Sequence, residues 1–384
     1  MLTALMVSSS FLPGRGGIES YLAELCEELA PHLAVLAPGR RDGKLIPSDL
    51  GYPTTGYPGN MLYPSARIAR EVVGDAAKHG TKRVLFGTPW PLALLGPRLM
   101  RAGLSYSVIV HGSELLVPSV IPVVNQRLAT ALSEADLLLA VSEYTRAKLR
   151  SFLEKRKKRV PPIEILRARV DLDRFHPNLE SADVKVALGL KGDQPMVLAF
   201  GRLVRRKGID KLIRAMDRVA GKVPGTALVV AGSGPELRRL QKLAAKVTAP
   251  VVFAGRVSEA DAPALYATAD AFVLPVSDRW FGLDVEGLGV VLLEASASGT
   301  VAITGRSGGT PEAIVDGETG FVVDAGDQQE LVNRITEMLE NPDLASRMGL
   351  AGRDFVAREF SRRPLPRPLL DWLSIDDGQP SSEG

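Results

Sequence analysis

Short runs of β-branched and aliphatic residues recur along the chain between longer stretches whose apolar positions follow the helical period. Each run is too short for anything but a buried strand. In the first half the runs fall at Leu2–Val7, Leu33–Ala37, Arg83–Phe86, Tyr106–Val110, Leu137–Val141 and Ile163–Leu166. In the second they fall at Met196–Phe200, Ala227–Ala231, Val251–Phe253, Ala271–Leu274, Val301–Thr304 and Phe321–Val323. Strands separated by helical crossovers make parallel sheets, and two such series predict an α/β chain of two doubly wound, Rossmann-like domains. An eight-stranded barrel is the alternative that such alternation allows. The stretch between Val170 and Pro195 is polar, holds two prolines and lacks a strand pattern. It sets a boundary that gives domains at 1–174 and 175–362 and a closing segment at 363–384, with a short polar tail after Asp376 expected to fray. Ligands of open parallel sheets sit beyond the carboxyl ends of the strands, so two facing sheets place a site in the cleft between them.

Composition narrows the class. The 384 residues are 45% hydrophobic and 24% charged, the balance of a globular chain. No run is apolar for long enough to span a bilayer, and the first residues lack a charged signal-peptide start, which reads as cytosolic. The single cysteine, Cys26, excludes an intramolecular disulfide and lies in a helical apolar stripe, the position of core filling. His32, His79, His111 and His176 are scattered, so no metal site is expected. With 47 basic and 44 acidic residues the net charge is +3, which gives no ground for a nucleic-acid-binding surface. The charge is uneven, however: Arg146 to Arg159 holds eight basic residues and one acid, and ends in Lys155, Arg156, Lys157, Lys158 and Arg159. Such a run suits an anionic membrane surface; the plain alternative is a solvated helix face.

Five places hold candidate chemistry. After the first strand, Gly14, Gly16 and Gly17 lead into a helix and leave backbone N–H groups at its positive end, a place for phosphate. The pattern is neither GxGxxG nor a P-loop, and tight turns need glycine in any case. His111 follows the strand SYSVIV directly, which puts it at a carboxyl sheet edge as a candidate substrate contact. In GRLVRRKGID, Arg202 and Lys207 reach one point above a strand end and suit a diphosphate, whereas Arg205 and Arg206 read as facing water. In DVEGLGVVLLEASASG, Glu286 and Glu294 stand eight apart, and an unbroken helix would separate them by about 12 Å. That exceeds the roughly 5 Å of a retaining glycosidase pair, so they suit two ends of one elongated ligand. Glu294 among apolar neighbours needs a partner. Ser307, Gly308 and Gly309 precede a helix expected from near Pro311, another entry that suits phosphate, while GETGFVV reads as a turn into the last strand.

Together GRGGIESYLAEL, VHGSE, GRLVRRKGID, VVAGSGPEL, VVFAGRVSEADAPALYATADAFVLPVSD and EGLGVVLLEASASG resemble the retaining glycosyltransferases of family 4, over nearly the whole chain. The resemblance implies the GT-B fold, with two Rossmann-like domains facing across a cleft, and the transfer of a hexose from a nucleotide sugar. Glu286 and Glu294 match the family's spaced glutamate pair. The resemblance assigns Arg202 and Lys207 to the donor diphosphate, Glu294 to the ribose, Glu286 to the donor sugar and Val257 to the base through its backbone. It assigns His111 to the donor sugar, Gly16 and Gly17 to the diphosphate or acceptor, and the N–H groups of Gly287, Leu288 and Gly289 to sugar or phosphate. It implies no cofactor and no metal. Within the family, GLDVEGLGVVLLEASASG is most similar to GDP-mannose-dependent phosphatidylinositol monomannoside mannosyltransferases, which implies a glycolipid acceptor and a peripheral place at the inner face of the plasma membrane. A UDP-sugar donor or a soluble acceptor stands as the alternative within the class, and a non-catalytic nucleotide-sugar-binding or membrane scaffold protein outside it. Three segments depart from the pattern: Ala168 and Arg169 replace an Asn-Gly pair, Val301 replaces a proline, and three prolines in SRRPLPRPLLDWL require the final helix to start late or break.

Overall fold

In a computed structural model, described for residues 2–14, 16–41, 43–115, 121–280, 284–361 and 364–375, the chain forms two compact units. The first takes the chain as far as Ala168 and again from Pro364; the second is Arg169–Arg363. The sequence pattern puts the division at 174. Residues 169–174 go instead with the second unit, because the Val170 N–H donates to the Phe360 carbonyl at 2.9 Å and the Arg353 guanidinium donates to the carbonyls of Leu172, Phe175 and Ala297.

The first unit contains β1 (Ala4–Val7), β2 (Leu33–Pro38), β3 (Arg40–Arg41), β4 (Lys44–Leu45), β5 (Thr54–Tyr57), β6 (Arg83–Phe86), β7 (Ser105–Val110), β8 (Leu137–Ala140) and β9 (Ile163–Ile165). Seven of these form one parallel sheet in the order β5-β2-β1-β6-β7-β8-β9, while β3 and β4 pair antiparallel with each other. Every residue of β1, β2 and β8 is buried, as expected of a parallel sheet covered on both faces. Helix Gly17–Glu28 covers part of it and buries Cys26 completely, and burial pushes that thiol far above its ordinary range.

The second unit contains β10 (Met196–Phe200), β11 (Ala227–Ala231), β12 (Val251–Gly255), β13 (Ala271–Leu274), β14 (Ala302–Gly305) and β15 (Gly320–Val323), in one parallel sheet ordered β12-β11-β10-β13-β14-β15. The order reverses direction at β10, between β11 and β13, and at such a switch point the loops after the strands spread to leave a crevice. Its core is aliphatic, with Leu212, Ile213, Met216, Leu331, Val332 and Ile335 under the sheet. Each run expected from the sequence forms a strand; the additions are the edge strand β5 and the two-residue pair β3 and β4. The prolines act as expected of them: helix Pro342–Glu359 ends before them, and a short helix, Arg367–Leu373, starts only after Pro364 and Pro366, with Pro368 in its first turn. That last helix is fixed to the first unit by Trp372 Nε1, which donates to Asp136 at 2.9 Å, and Arg83 donates to the following Ser374 at 2.7 Å. The tail expected to fray lies outside the described residues. No described helix is long and apolar enough to cross a membrane.

Candidate active site

A cluster of charged side chains in the second unit sits at the carboxyl end of β10. The chain leaves the strand at Gly201, makes one 3-10 turn over Arg205–Lys207 and enters helix Ile209–Lys222 through Gly208. Gly208 has φ +68°, and a Cβ there would lie 2.0 Å from the Pro275 carbonyl oxygen, so only glycine lets the turn pack against the chain after β13. The turn folds Lys207 back into the protein, with its ammonium beside Gly201 and its side chain 7% exposed. Lys207 Nζ lies 3.0 Å from Glu286 Oε2, and Arg206 Nε donates to the same oxygen at 3.1 Å. Arg206 also reaches Asp284 Oδ1 at 3.4 Å and accepts Ser277 N–H on its own carbonyl at 2.9 Å. Burial alone would raise the Glu286 carboxyl; Lys207 and then Arg206 outweigh it and hold the group below the usual carboxylate range. Arg206 is therefore not a water-facing charge, as the sequence suggests, but half of the cationic pair on Glu286. Arg202, one residue past Gly201, is exposed. Arg206 and Asp284 also line a cavity of about 370 Å³, together with Arg205, Glu236, Arg279 and Trp280.

The main chain of Glu286 is fixed from the other side. Its N–H donates to Ser307 Oγ at 3.2 Å, and its carbonyl accepts the Gly309 N–H at 3.0 Å. Ser307 Oγ donates in turn to Asp278 at 2.6 Å. Gly308 has φ +56°, and a Cβ there would stand 1.8 Å from the Glu286 oxygen. The Ser307–Gly309 turn thus gives Ser307 Oγ and the Gly309 N–H to the main chain of Glu286, and the chain continues into one 3-10 turn, Thr310–Glu312, in place of the expected helix.

Glu294 lies on helix Val290–Ala297, which starts after Gly289 (φ +85°), so the segment joining the two glutamates is not one continuous helix. The partner that a buried Glu294 requires is the Tyr266 hydroxyl, which donates to Oε2 at 2.7 Å. Tyr266 is completely buried against the rings of Phe175, Phe200 and Phe272. Burial pushes the Glu294 carboxyl up against the opposing pull of the Tyr266 bond, and pushes the Tyr266 hydroxyl well above its ordinary range, so it stays a donor. Gly287 is half-buried, Leu288 and Gly289 are buried, and Val257 follows β12 in a half-buried turn. Sequence reasoning misses Tyr266, Arg206 and the Ser307 brace. An alternation pattern reports a buried tyrosine, but not that its hydroxyl meets a carboxylate 28 positions away.

In the first unit, His111 directly follows β7 and is 8% exposed. Its Nε2 donates to the Gly87 carbonyl at 2.9 Å, its N–H donates to Glu114 Oε1 at 3.1 Å, and Tyr21 stands edge-on at 5.1 Å. The ring orientation is thereby set from its Nε2 side. Gly16 caps helix Gly17–Glu28 and is exposed, and nothing stands within 4 Å of a Cβ built on Gly17. The first turn carries its own carboxylate, Glu19, paired with Arg41 at 3.2 Å. The basic run divides in two. Arg156 donates to Asn125 and to the Phe152 carbonyl, and lies 3.9 Å over the Phe152 ring; Arg159 donates to the carbonyls of Ser133 and Ala135. These two guanidiniums are tied to the protein's own groups on and just after helix Pro122–Ser133, whereas Lys155 and Lys157 are exposed and Lys158 is half-buried. No group of three or more metal-ligating side chains occurs among the described residues.

Comparison with known proteins places these features in a family. The family of glycosyl transferases group 1 matches residues 181–355, which takes in the whole Lys207, Glu286 and Glu294 cluster. The chain is 38% identical over 379 residues to the GDP-mannose-dependent alpha-(1-6)-phosphatidylinositol monomannoside mannosyltransferase of Mycolicibacterium smegmatis, covering 96% of this chain and 98% of the relative. It is 34% identical to the monoacylated-substrate counterpart of Corynebacterium glutamicum, covering 97% and 98%. Among solved structures it is similar to sucrose-phosphate synthase from Thermosynechococcus elongatus (TM-score 0.78, 23% identity, 94% of this chain and 95% of that one). It is also similar to HepE of Anabaena in complex with UDP-glucose (TM-score 0.77, 18% identity, 93% and 95%). With two parallel doubly wound sheets and relatives that match over nearly its full length, the chain belongs to the group 1 glycosyltransferases of GT-B fold.

Proposed function

We propose that this glycosyltransferase moves mannose from GDP-mannose, with retention, onto a phosphatidylinositol monomannoside-type glycolipid as a peripheral protein at the inner face of the plasma membrane. The observation that carries the donor half is the Lys207–Glu286–Arg206 cluster at the carboxyl end of β10, with Glu294 nearby in sequence on a helix of the same unit. Lys207 and Arg202 neutralise the donor diphosphate as it leaves, which fixed cations do without solvent reorganisation. Glu286, held charged, accepts hydrogen bonds from the sugar hydroxyls, and Glu294 accepts from the ribose. Gly287, Leu288 and Gly289 offer N–H groups to sugar or phosphate, and Val257 meets the base through its backbone. In the first unit, His111 is assigned to the donor sugar, and Gly16 and Gly17 to the diphosphate or acceptor. The bond from the sugar's C1 to the phosphate oxygen breaks, the acceptor oxygen bonds to C1 on the same face, and the departing phosphate oxygen takes the acceptor proton. No side chain needs to act as nucleophile, and no cofactor takes part.

The acceptor half is supported by the names of the full-length relatives and by the exposed lysines at 155 and 157. The test is to incubate purified protein with labelled GDP-mannose, UDP-glucose or UDP-N-acetylglucosamine and actinobacterial membrane lipids, and to follow label into the organic phase. Transfer from GDP-mannose to a phosphoinositide is the expected outcome. Transfer from a UDP-sugar, or only to a water-soluble acceptor, overturns the substrate assignment.

A further inference from the structure

A single carboxylate oxygen, Glu286 Oε2, carries two cations, at 3.0 Å from Lys207 and 3.1 Å from Arg206. Under the donor-site reading, on which this inference rests, Lys207 has a second task, because a bound diphosphate competes for the same ammonium. A 13%-exposed carboxylate left without a counter-ion is costly, and it would take up a proton or turn away. Arg206 is placed to prevent this. Its side chain is 24% exposed, its second nitrogen reaches Asp284, and its carbonyl is tied to Ser277, so it is anchored at both ends, whereas Lys207 reaches Glu286 at the tip of a four-carbon stem.

We propose that Arg206 is the resident counter-ion of Glu286: when an anionic donor draws Lys207 to its diphosphate, Arg206 stays and keeps the carboxylate charged and aimed at the sugar. The charged groups around that carboxylate are Lys207 and Arg206 on the Arg205–Lys207 turn, Asp284 two residues before it, and Asp278 behind Ser307. Arg206 is thus a positioning residue that acts through Glu286. Because the two arginine contacts and the lysine contact fall on different partners once the donor is bound, nucleotide binding and sugar transfer respond differently to its loss.

The experiment compares wild type with Arg206→Met, Arg206→Lys, Glu286→Gln and the double variant Arg206→Met with Glu286→Gln. GDP affinity, kcat and KM for GDP-mannose, the pH profile of kcat and the thermal unfolding midpoint are measured for each. The proposal expects Arg206→Met to keep GDP affinity within about threefold while kcat falls by about 100-fold, the scale of losing one charge-stabilising group in an active site. Its acid limb moves to higher pH, because one of the two cations that hold the Glu286 carboxyl down is gone. Arg206→Lys recovers about tenfold or more of that loss, and the double variant is little worse than Glu286→Gln alone. An unmoved acid limb, equal losses in GDP affinity and kcat, or additive losses in the double variant overturns the proposal in favour of a simple tie between two loops. Wild-type turnover with another nucleotide sugar in place of GDP-mannose overturns the substrate reading and leaves the comparison intact with that donor. Failure of the wild type to bind any nucleotide sugar overturns both.

Discussion

Removing a single oxygen from the core of the second unit tests the electrostatics of the site. Tyr266→Phe keeps the ring among Phe175, Phe200 and Phe272 and deletes only the hydroxyl that donates to Glu294 at 2.7 Å. A hydrogen bond to a charged group contributes about 1.5–3 kcal/mol and one to a neutral group about 1 kcal/mol, so the loss depends on the ionisation of Glu294. Burial already raises the native Glu294 carboxyl above its unfolded value. For such a group the stabilising share is complete below the unfolded pKa and disappears as pH rises through the raised native one. The Tyr266 bond opposes that rise; without it the native value climbs further and the loss at high pH deepens. The gap between variant and wild type should widen with pH. With about 2–4 °C per kcal/mol for a domain of this size, the second unit's melting point should fall by about 4–8 °C at pH 8 and by about half as much at pH 5. Calorimetry or circular dichroism at the two pH values measures it. A gap equal at both, or a fall under about 1 °C at pH 8, refutes the assignment of the hydroxyl as the partner of an ionised Glu294.

Other consequences are as direct. Lys207→Ala or Arg202→Ala should cut kcat/KM by about 100- to 1,000-fold with the circular dichroism spectrum unchanged, and wild-type turnover in either removes the diphosphate role. Gly308→Ala should lower stability by about 1–3 kcal/mol and lower kcat, because its Cβ would meet the Glu286 carbonyl at 1.8 Å with the backbone at φ +56°; unchanged unfolding curves would contradict the brace. Neutralising Lys155, Lys157 and Lys158 should weaken binding to anionic vesicles in a salt-dependent way and leave the melting point in place. Arg156→Ala with Arg159→Ala should instead lower the melting point; vesicle binding unaffected by the lysine changes returns that run to a solvated surface.

The fold is readable because its strands are continuous aliphatic runs such as Ala-Leu-Met-Val and Ala-Leu-Val-Val-Ala, whose composition alone demands burial on both faces. β5 escapes that reading because Thr-Thr-Gly-Tyr, bounded by Pro53 and Pro58, is a half-exposed edge strand with no aliphatic signal. The charged carriers of the site are readable locally: Lys207 by its place just after a strand, Glu286 and Glu294 by their eight-residue spacing around an apolar segment. Their partners are not. Arg206 and Glu286 are 80 positions apart, and nothing local tells a solvated arginine from one whose charge is claimed across the fold. The turn at Ser307–Gly309 is of the same kind: nothing local shows that it braces the backbone of Glu286, 21 positions before Ser307. The closing prolines are legible because their effect is covalent and local.

The isolation of Cys26 has a practical consequence. Its thiol is completely buried in helix Gly17–Glu28 and pushed far from its reactive thiolate form, and it is the chain's one cysteine. The folded protein is therefore silent toward maleimides and mild oxidants without any prior engineering. A cysteine placed at exposed Trp280, or at Lys157 in the basic run, becomes the one addressable thiol, and a dye or spin label there reports on that position against no background.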